Sequence, residues 1–139
     1  MTYIFTSVTD KPINAEELRQ TAINSASGAI VVFTGNVRNH DNNKDVKSLD
    51  YEIHPSAADV IKNIAGEICD EYDLQSLIMV HRYGMLQVQD IAFLVIVGSK
   101  HRDIAFAACS SAVDRVKKSL PIWKHQFFND GSDEWVNSA

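Results

Sequence analysis

The chain has 139 residues, 45% of them hydrophobic and 22% charged, which is typical of a globular domain and excludes a largely disordered chain. Its formal net charge of −5 disfavours binding to nucleic acid or to an anionic membrane surface. We therefore expect one domain spanning residues 1–139, with no nucleic acid and no membrane as partner.

The cysteines and the N-terminus both indicate a cytoplasmic protein. Residues 1–5 lack the basic region and the long apolar run of a secretory signal. Cys69 and Cys109 fall in helical patterns beside apolar neighbours, so we expect two reduced, buried thiols. Buried thiols in apolar surroundings react poorly, and neither cysteine is predicted to be a nucleophile.

The first half of the chain alternates strand and helix patterns. Short apolar or alternating runs predict strands at residues 3–8, 29–34 and 47–54. Asn14 is a suitable cap for a helix that continues to about Asn24. Residues 36–45 are rich in Asn and Asp, so they are predicted to form a mobile loop.

The second half continues with two helices and two more strands. A helix opened by Pro55 and Ser56 carries an apolar stripe at spacings of three and four as far as Tyr72. Strands are predicted at residues 77–83 and 91–98, followed by a helix that starts near Arg102 and is ended by Pro121. Strand pairs mixed with crossover helices predict an α+β fold with a mixed or largely antiparallel sheet.

Basic side chains gather where these elements meet. They are Arg38, His40, His101, Arg102, Lys117, Lys118 and Lys124. In an acidic chain this distribution suggests an anion pocket, because Arg and Lys are the side chains that bind phosphate. The alternative is that they are solvated, with the two lysines near the helix end complementing its dipole.

A lysine enclosed by other cations has chemical consequences. If Lys117 or Lys124 lies near Arg38 and Arg102, the neighbouring charges disfavour its ammonium form and lower its pKa. Such a lysine can exchange protons near neutral pH. The histidines lack a metal-ligand spacing and no glycine-rich phosphate loop occurs, so neither a metal nor a cofactor is expected.

Several short motifs resemble those of one known family. They are residues 33–38 (FTGNVR), 51–52 (YE), 81–86 (HRYGML), 101–106 (HR followed by AF), 114–124 (DxxKxxxPIWK), 130–131 (DG) and 135–136 (WV). Their order is similar to that in the large, catalytic subunits of molybdopterin synthase. The resemblance covers about residues 28–136, nearly the whole chain.

The resemblance implies a fold, an activity and partners. The fold is of the α/β-hammerhead type with an additional antiparallel β-sheet. The activity is that of a sulfurtransferase converting cyclic pyranopterin monophosphate to molybdopterin, in molybdenum cofactor biosynthesis. The sulfur comes from the thiocarboxylated C-terminus of a small ubiquitin-like subunit, and the large subunit forms a homodimer within a heterotetramer.

The resemblance also implies roles for individual residues. Lys117 and Lys124 match the catalytic lysines. The substrate-binding residues it implies are Asn36, Val37, Arg38, His101, Arg102, Lys117, Lys124, His125 and Gln126. Ile122 and Trp123 are candidates for flat apolar walls around the pterin, and Phe93 and Val95 for the dimer interface.

Three departures from the family pattern stand out. The family usually has Glu where Gln126 stands, Gly-Glu where Gln89 and Asp90 stand, and a Gly within the segment that here contains Asn42 and Asn43. Two hypotheses of another class accompany the enzyme: a non-catalytic anion-binding module on the same fold, or an assembly module whose cations dock an acidic partner.

Overall fold

The computed structural model describes residues 1–137, which form two sheets and three helices. In chain order the elements are β1 (Tyr3–Thr9), α1 (Ala15–Thr21), β2 (Ala29–Asn36), β3 (His40–Asp41), β4 (Lys44–Ile53), α2 (Ala57–Glu71), β5 (Ser76–Arg82), β6 (Gly84–Gln87), β7 (Ile91–Ser99), α3 (Arg102–Ser119), β8 (Ile122–Phe128) and β9 (Asp133–Val136). The α+β class is confirmed. No helix among these residues is both long and apolar enough to cross a membrane.

The first sheet has the strand order β1-β5-β7-β2. β1 runs parallel to β5, and the other neighbours are antiparallel. The helices α2 and α3 pack on one face through buried side chains such as Ile61, Ile68 and Val116, while Leu18 and Ala22 cover part of the other face. Because β5 and β7 are covered on both faces, their sequences are continuous apolar runs rather than alternating ones.

This packing corrects the expected dimer interface. Phe93 and Val95 lie on β7, a central strand, and are only 3% and 0% exposed. Their side chains belong to the core of the subunit, so they cannot form a contact between subunits. The edge strands of this sheet are β1 and β2.

The second sheet has the order β3-β4-β8-β9, and β6 also pairs with β4. Its centre is the antiparallel pair β4 and β8, in which Ile53 lies opposite Ile122 and Tyr51 opposite Lys124. β6, β8 and β9 were not predicted. β8 lacks a clear apolar alternation because two of its inward-facing positions, Lys124 and Gln126, carry polar side chains.

The predicted mobile loop over residues 36–45 is wrong in part. β2 extends to Asn36, and a tight hairpin joins β3 to β4 through Asn42 and Asn43, whose φ angles are 51° and 61°. A two-residue turn of this kind needs positive φ at both positions, which Asn tolerates better than most residues. The turn therefore accommodates the absence of the family's usual glycine.

The two cysteines are unpaired but differ in burial. Cys109 is buried, and burial raises its pKa to about 11. Cys69 lies beside the apolar stripe of α2 and is only partly buried, which corrects the expectation that both thiols are buried. Burial, with the charge of Asp70, raises the pKa of Cys69 as well. Both thiols are thus held in their poorly nucleophilic form.

A strained turn supports the loop that follows β2. The backbone N–H of Gln89 donates to the carbonyl of Val37 at 2.8 Å, and the N–H of Val37 donates to the carbonyl of Asp90 at 3.0 Å. The side-chain amide of Asn36 donates to the carbonyl of Gln89 at 3.2 Å. Gln89 makes these contacts at a φ of 77°, in the left-handed region.

Replacing Gln89 by glycine should stabilise the protein. A residue with a Cβ pays about 1 kcal/mol or more for this backbone conformation, whereas glycine adopts it freely. We expect Gln89→Gly to raise the free energy of unfolding by about 0.5–1 kcal/mol in urea denaturation. Gln89→Ala, which keeps the Cβ, is the matched control and should bring no gain. Equal stability of the Gly and Ala variants would show that the turn is not strained.

Candidate active site

One cavity lies between the end of β2 and the inner face of the second sheet. Its walls come from β2, the β3–β4 hairpin, the central strands of both sheets, and the end of α3. The lining residues are Phe33, Gly35, Asn36, Val37, Arg38, His40, Asp41, Leu49, Tyr51, His81, Ala92, Phe93, Lys117, Lys124 and Gln126. The cavity therefore combines one arginine, two lysines, two histidines, one carboxylate and an aromatic floor.

The chain reversal at Pro121 brings the two candidate catalytic lysines together. Lys117 lies in the last turn of α3, which ends where the N–H of Leu120 bonds to the carbonyl of Val116. Proline cannot continue the helix, and the chain returns as β8 along β4. Because side chains alternate along a strand, Lys124 and Gln126 both point into the cavity.

Two further basic residues from this region lie outside the cavity: Lys118, and His125, which was predicted to bind substrate. Lys118 is absent from the cavity lining and borders a separate surface groove on α3. His125 points to the opposite face of the second sheet, where its ring stacks on Trp135 at 4.1 Å and its Nε2 lies 2.6 Å from Asp133. The structure therefore keeps His125 out of the cavity.

A carboxylate that the sequence did not single out organises the cations. The amide Nε2 of Gln126 donates to Oδ2 of Asp41 at 2.8 Å, and Nη2 of Arg38 lies 3.6 Å from Oδ1 of the same group. The hydrogen bond from Gln126 is the largest cause of a lowered Asp41 pKa, and the charges of Lys124 and Arg38 lower it further. Asp41 is thus ionised and acts as a counterion within the cavity.

Lys124 shows the electrostatic effect predicted for an enclosed lysine. Burial is the main cause of a lowered pKa, and the charges of Lys117 and Arg38 lower it further. The carboxylates of Asp41 and Glu134 oppose this shift. The neighbours differ from the expectation in one respect, because Arg102 is not among them.

His101 and Arg102 are separated from the cavity within one subunit. Arg102 begins α3 and Lys117 lies in its last turn, so they are about 22 Å apart at about 1.5 Å per helical residue. His101, Arg102 and Asp103 line only a shallow depression of their own. A single pocket containing Arg38, Arg102 and both lysines is therefore not formed by one copy of the chain.

The apolar walls also differ from those expected. Ile122 is buried in the core and Trp123 lies on the outer face of the second sheet, so neither lines the cavity. The flat walls are instead Phe33, Tyr51 and Phe93. Phe33 and Phe93 meet edge to face with ring centroids 5.8 Å apart. Such a floor suits a planar ring system.

Among residues 1–137, no group of three or more His, Cys, Asp or Glu side chains is arranged to hold a metal ion.

The geometry defines an α+β protein with a cavity lined by an arginine and two lysines, and comparison with known proteins gives its family. Residues 8–119 match the family model described as MoaE protein. The molybdopterin synthase catalytic subunit of Nostoc sp. is 41% identical over 133 residues, 94% of this chain and 81% of that protein. The catalytic subunit of Staphylococcus epidermidis is 40% identical over 129 residues, 92% and 85% of the two chains.

Solved structures agree. The crystal structure of molybdopterin synthase from Staphylococcus aureus superposes with a TM-score of 0.84 at 37% identity, covering 93% of this chain and 94% of that one. A complex of subunits 1 and 2 of molybdopterin-converting factor from Helicobacter pylori contains the same fold, with a TM-score of 0.71 at 21% identity. The chain belongs to the MoaE family, the catalytic subunits of molybdopterin synthase. The resemblance seen in the sequence motifs is confirmed.

The contact between Asp41 and Gln126 depends on the side-chain amide of Gln126, which donates a hydrogen bond that an ionised carboxylate cannot donate. In Gln126→Glu two carboxylates would meet at hydrogen-bond distance, so the variant should lose about 1–3 kcal/mol of stability at pH 8. The loss should shrink as the pH falls toward about 5, because protonation of one carboxylate restores a hydrogen bond. Urea denaturation at several pH values measures both effects.

The matched control is the exchange Asp41→Asn with Gln126→Glu, which restores one amide facing one carboxylate. We expect it to recover most of the stability lost in the single variant. A single variant as stable as the wild type at pH 8 would contradict the contact.

Proposed function

We propose that the cavity is the active site, and that it binds cyclic pyranopterin monophosphate for conversion to molybdopterin. The observation that carries this proposal is the convergence of Arg38, Lys117 and Lys124 on one partly enclosed cavity with an aromatic floor. The cations suit the cyclic phosphate, and the rings of Phe33, Tyr51 and Phe93 suit the pterin. Asn36 and Val37, on the wall beside Arg38, complete the binding surface.

The two lysines have a chemical task in this reaction. Opening the cyclic phosphate and displacing oxygen from carbon both develop negative charge, which fixed cations stabilise. Lys124, with its lowered pKa, is suited to deliver a proton to the departing oxygen and to recover one afterwards. Lys117, at the end of α3, supplies a second positive charge.

Sulfur must come from outside this chain. No cysteine lines the cavity, and the pKa values of both thiols are raised by burial. We propose that the donor is the thiocarboxylated C-terminus of a small ubiquitin-like subunit, which enters the cavity as an extended tail. The two unpaired thiols are compatible with a cytoplasmic protein.

A homodimer would complete the site. β2 is an edge strand, and Val32 on one side of it and Phe106 beside it on α3 are 42% and 61% exposed. An exposed strand edge flanked by apolar side chains is suited to pair with a second copy. We propose that two β2 strands pair antiparallel, with Val32 opposite the same residue of the second copy.

This arrangement would bring His101 and Arg102 to the cavity of the neighbouring subunit. Ala29, at the start of β2, pairs with Ser99, two residues before His101, whereas Asn36 at the other end lines the cavity. The strand spans about 23 Å between its ends, close to the length of α3 that separates Arg102 from Lys117. One homodimer would have two such sites. Each site would bind one small subunit, which gives a heterotetramer.

The dimer is tested by Val32→Lys. Two lysines would face each other at the centre of the proposed pairing, while the exposed position should leave the folded subunit intact. We expect a dimer for the wild type and a monomer for Val32→Lys at micromolar concentration by light scattering. Met85→Lys, at an apolar position on the second sheet that is also exposed, should remain dimeric. A monomeric wild type would contradict the proposal.

The lysines are tested with Lys118 as the matched control. Lys117→Ala and Lys124→Ala should each reduce turnover at least ~100-fold, the lower scale for loss of an acid–base group. Lys118→Ala removes the same charge outside the cavity and should change turnover little. The free energy of unfolding of the Lys117 and Lys118 variants should change by no more than about 0.5 kcal/mol, since both side chains are exposed.

The assay is single-turnover formation of molybdopterin with thiocarboxylated small subunit in excess. Equal and mild effects from all three substitutions would show that the lysines are only a solvated surface, and would remove the catalytic groups from the proposal.

A further inference from the structure

His81 is a buried histidine for which the proposed reaction has no role so far. It lies on β5, is 1% exposed, and nevertheless forms part of the cavity lining. A polar side chain at this depth is normally retained only when hydrogen bonds compensate for its burial. The partners of its two ring nitrogens therefore decide what it does.

The first ring nitrogen fixes the tautomer. Nδ1 lies 2.8 Å from the backbone carbonyl oxygen of Arg82, and a carbonyl oxygen can only accept. Nδ1 must therefore carry the hydrogen and donate it. In the neutral ring this leaves Nε2 as an unprotonated acceptor, and no hydrogen bond connects Nε2 to another group among residues 1–137.

Two aromatic neighbours fix the plane of the ring. The imidazole stacks on Phe93, its cross-strand partner on β7, with centroids 5.3 Å apart and planes at 24°. The ring of Tyr51 approaches edge to face at 5.1 Å. All three rings line the cavity, so the orientation of Nε2 is set before any ligand enters.

The charge state of His81 is set by its surroundings. Burial, aided by the charge of Lys117, outweighs the hydrogen bond to Arg82 and lowers the pKa of His81 to about 4. The imidazole is therefore neutral at physiological pH. It adds no positive charge to a cavity that already holds Arg38, Lys117 and Lys124.

We propose that His81 is a specificity-determining residue whose Nε2 accepts a hydrogen bond from an N–H or O–H group of the pyranopterin ring system. This rests on the proposed function, because it takes the cavity as the substrate site. The cations recognise the anionic part of the substrate, whereas a fixed neutral acceptor recognises a donor on the ring. A pterin presents several N–H donors, and an unmet acceptor discriminates against rings that lack one.

Two substitutions separate this role from packing. His81→Phe keeps an aromatic ring between Phe93 and Tyr51 but removes the acceptor. His81→Gln loses the ring but can place its Oε1 near the position of Nε2. We expect His81→Phe to raise the Kd for cyclic pyranopterin monophosphate at least about tenfold, and His81→Gln to recover much of the affinity. The Kd for inorganic phosphate should not change in either variant.

The reverse order of affinities, or wild-type binding by His81→Phe, would overturn the inference. Lys124→Ala in the same calorimetric titrations distinguishes the two proposals. If it binds substrate and turns over like the wild type, the cavity itself is not the site. If Lys124→Ala is impaired and His81→Phe is not, only the role of His81 fails.

A measurement on the wild-type protein does not depend on how the variants fold. In ¹⁵N NMR of histidine-labelled protein, Nε2 of His81 should resonate as an unprotonated nitrogen and shift upfield, as a hydrogen-bonded acceptor does, when the pyranopterin binds. Inorganic phosphate should leave this resonance unchanged. An Nε2 signal that is insensitive to the pyranopterin, or equally sensitive to phosphate alone, would contradict the proposal.

Discussion

The antiparallel pairing of β4 with β8 is the contact on which the site depends. It places Lys124 opposite Tyr51 and Gln126 opposite Leu49. Since Pro121 ends α3 immediately before β8, the same reversal holds Lys117 beside the cavity. Without this pairing the two lysines would belong to separate surface elements, and no enclosed group of cations would exist.

Gathering cations in a partly enclosed cavity has an electrostatic cost. Burial and mutual repulsion disfavour the charged form of Lys124, and one carboxylate, Asp41, offsets part of that cost. Gln126 holds Asp41 by donating a hydrogen bond, which a glutamate at the same position could not do while ionised. A substrate phosphate bound in the cavity would place negative charge beside these cations. Substrate binding would therefore also reduce the repulsion between them.

The elements predicted correctly from the sequence are those whose apolar residues serve only the hydrophobic core. β5 and β7 are continuous apolar runs and α2 is a regular stripe, so they were predicted correctly. β8 was missed because its inward positions serve the cavity rather than the core. The family motif at residues 114–124 contains both Lys117 and Lys124, and the structure places both side chains on the lining of the same cavity.

Other features depend on contacts distant in sequence. Asp41 reaches Gln126 only after the β3–β4 hairpin forms, and the neutral state of His81 depends on burial that no local pattern reveals. His101 and Arg102 were grouped with the lysines because the order of motifs along a chain does not give the distances between their residues in the fold. The length of α3 separates them from the lysines within one subunit.

Lys124 is partly buried and lies near the positive charges of Lys117 and Arg38. An anion bound in the cavity would stabilise its charged form. NMR titration of protein labelled at the lysine side chains measures its pKa directly, with Lys124→Arg to assign the signal. We expect the pKa of Lys124 to lie below the ordinary lysine value in the free protein and to rise when cyclic pyranopterin monophosphate binds. An ordinary lysine pKa for Lys124 that does not change when the substrate binds would contradict the account.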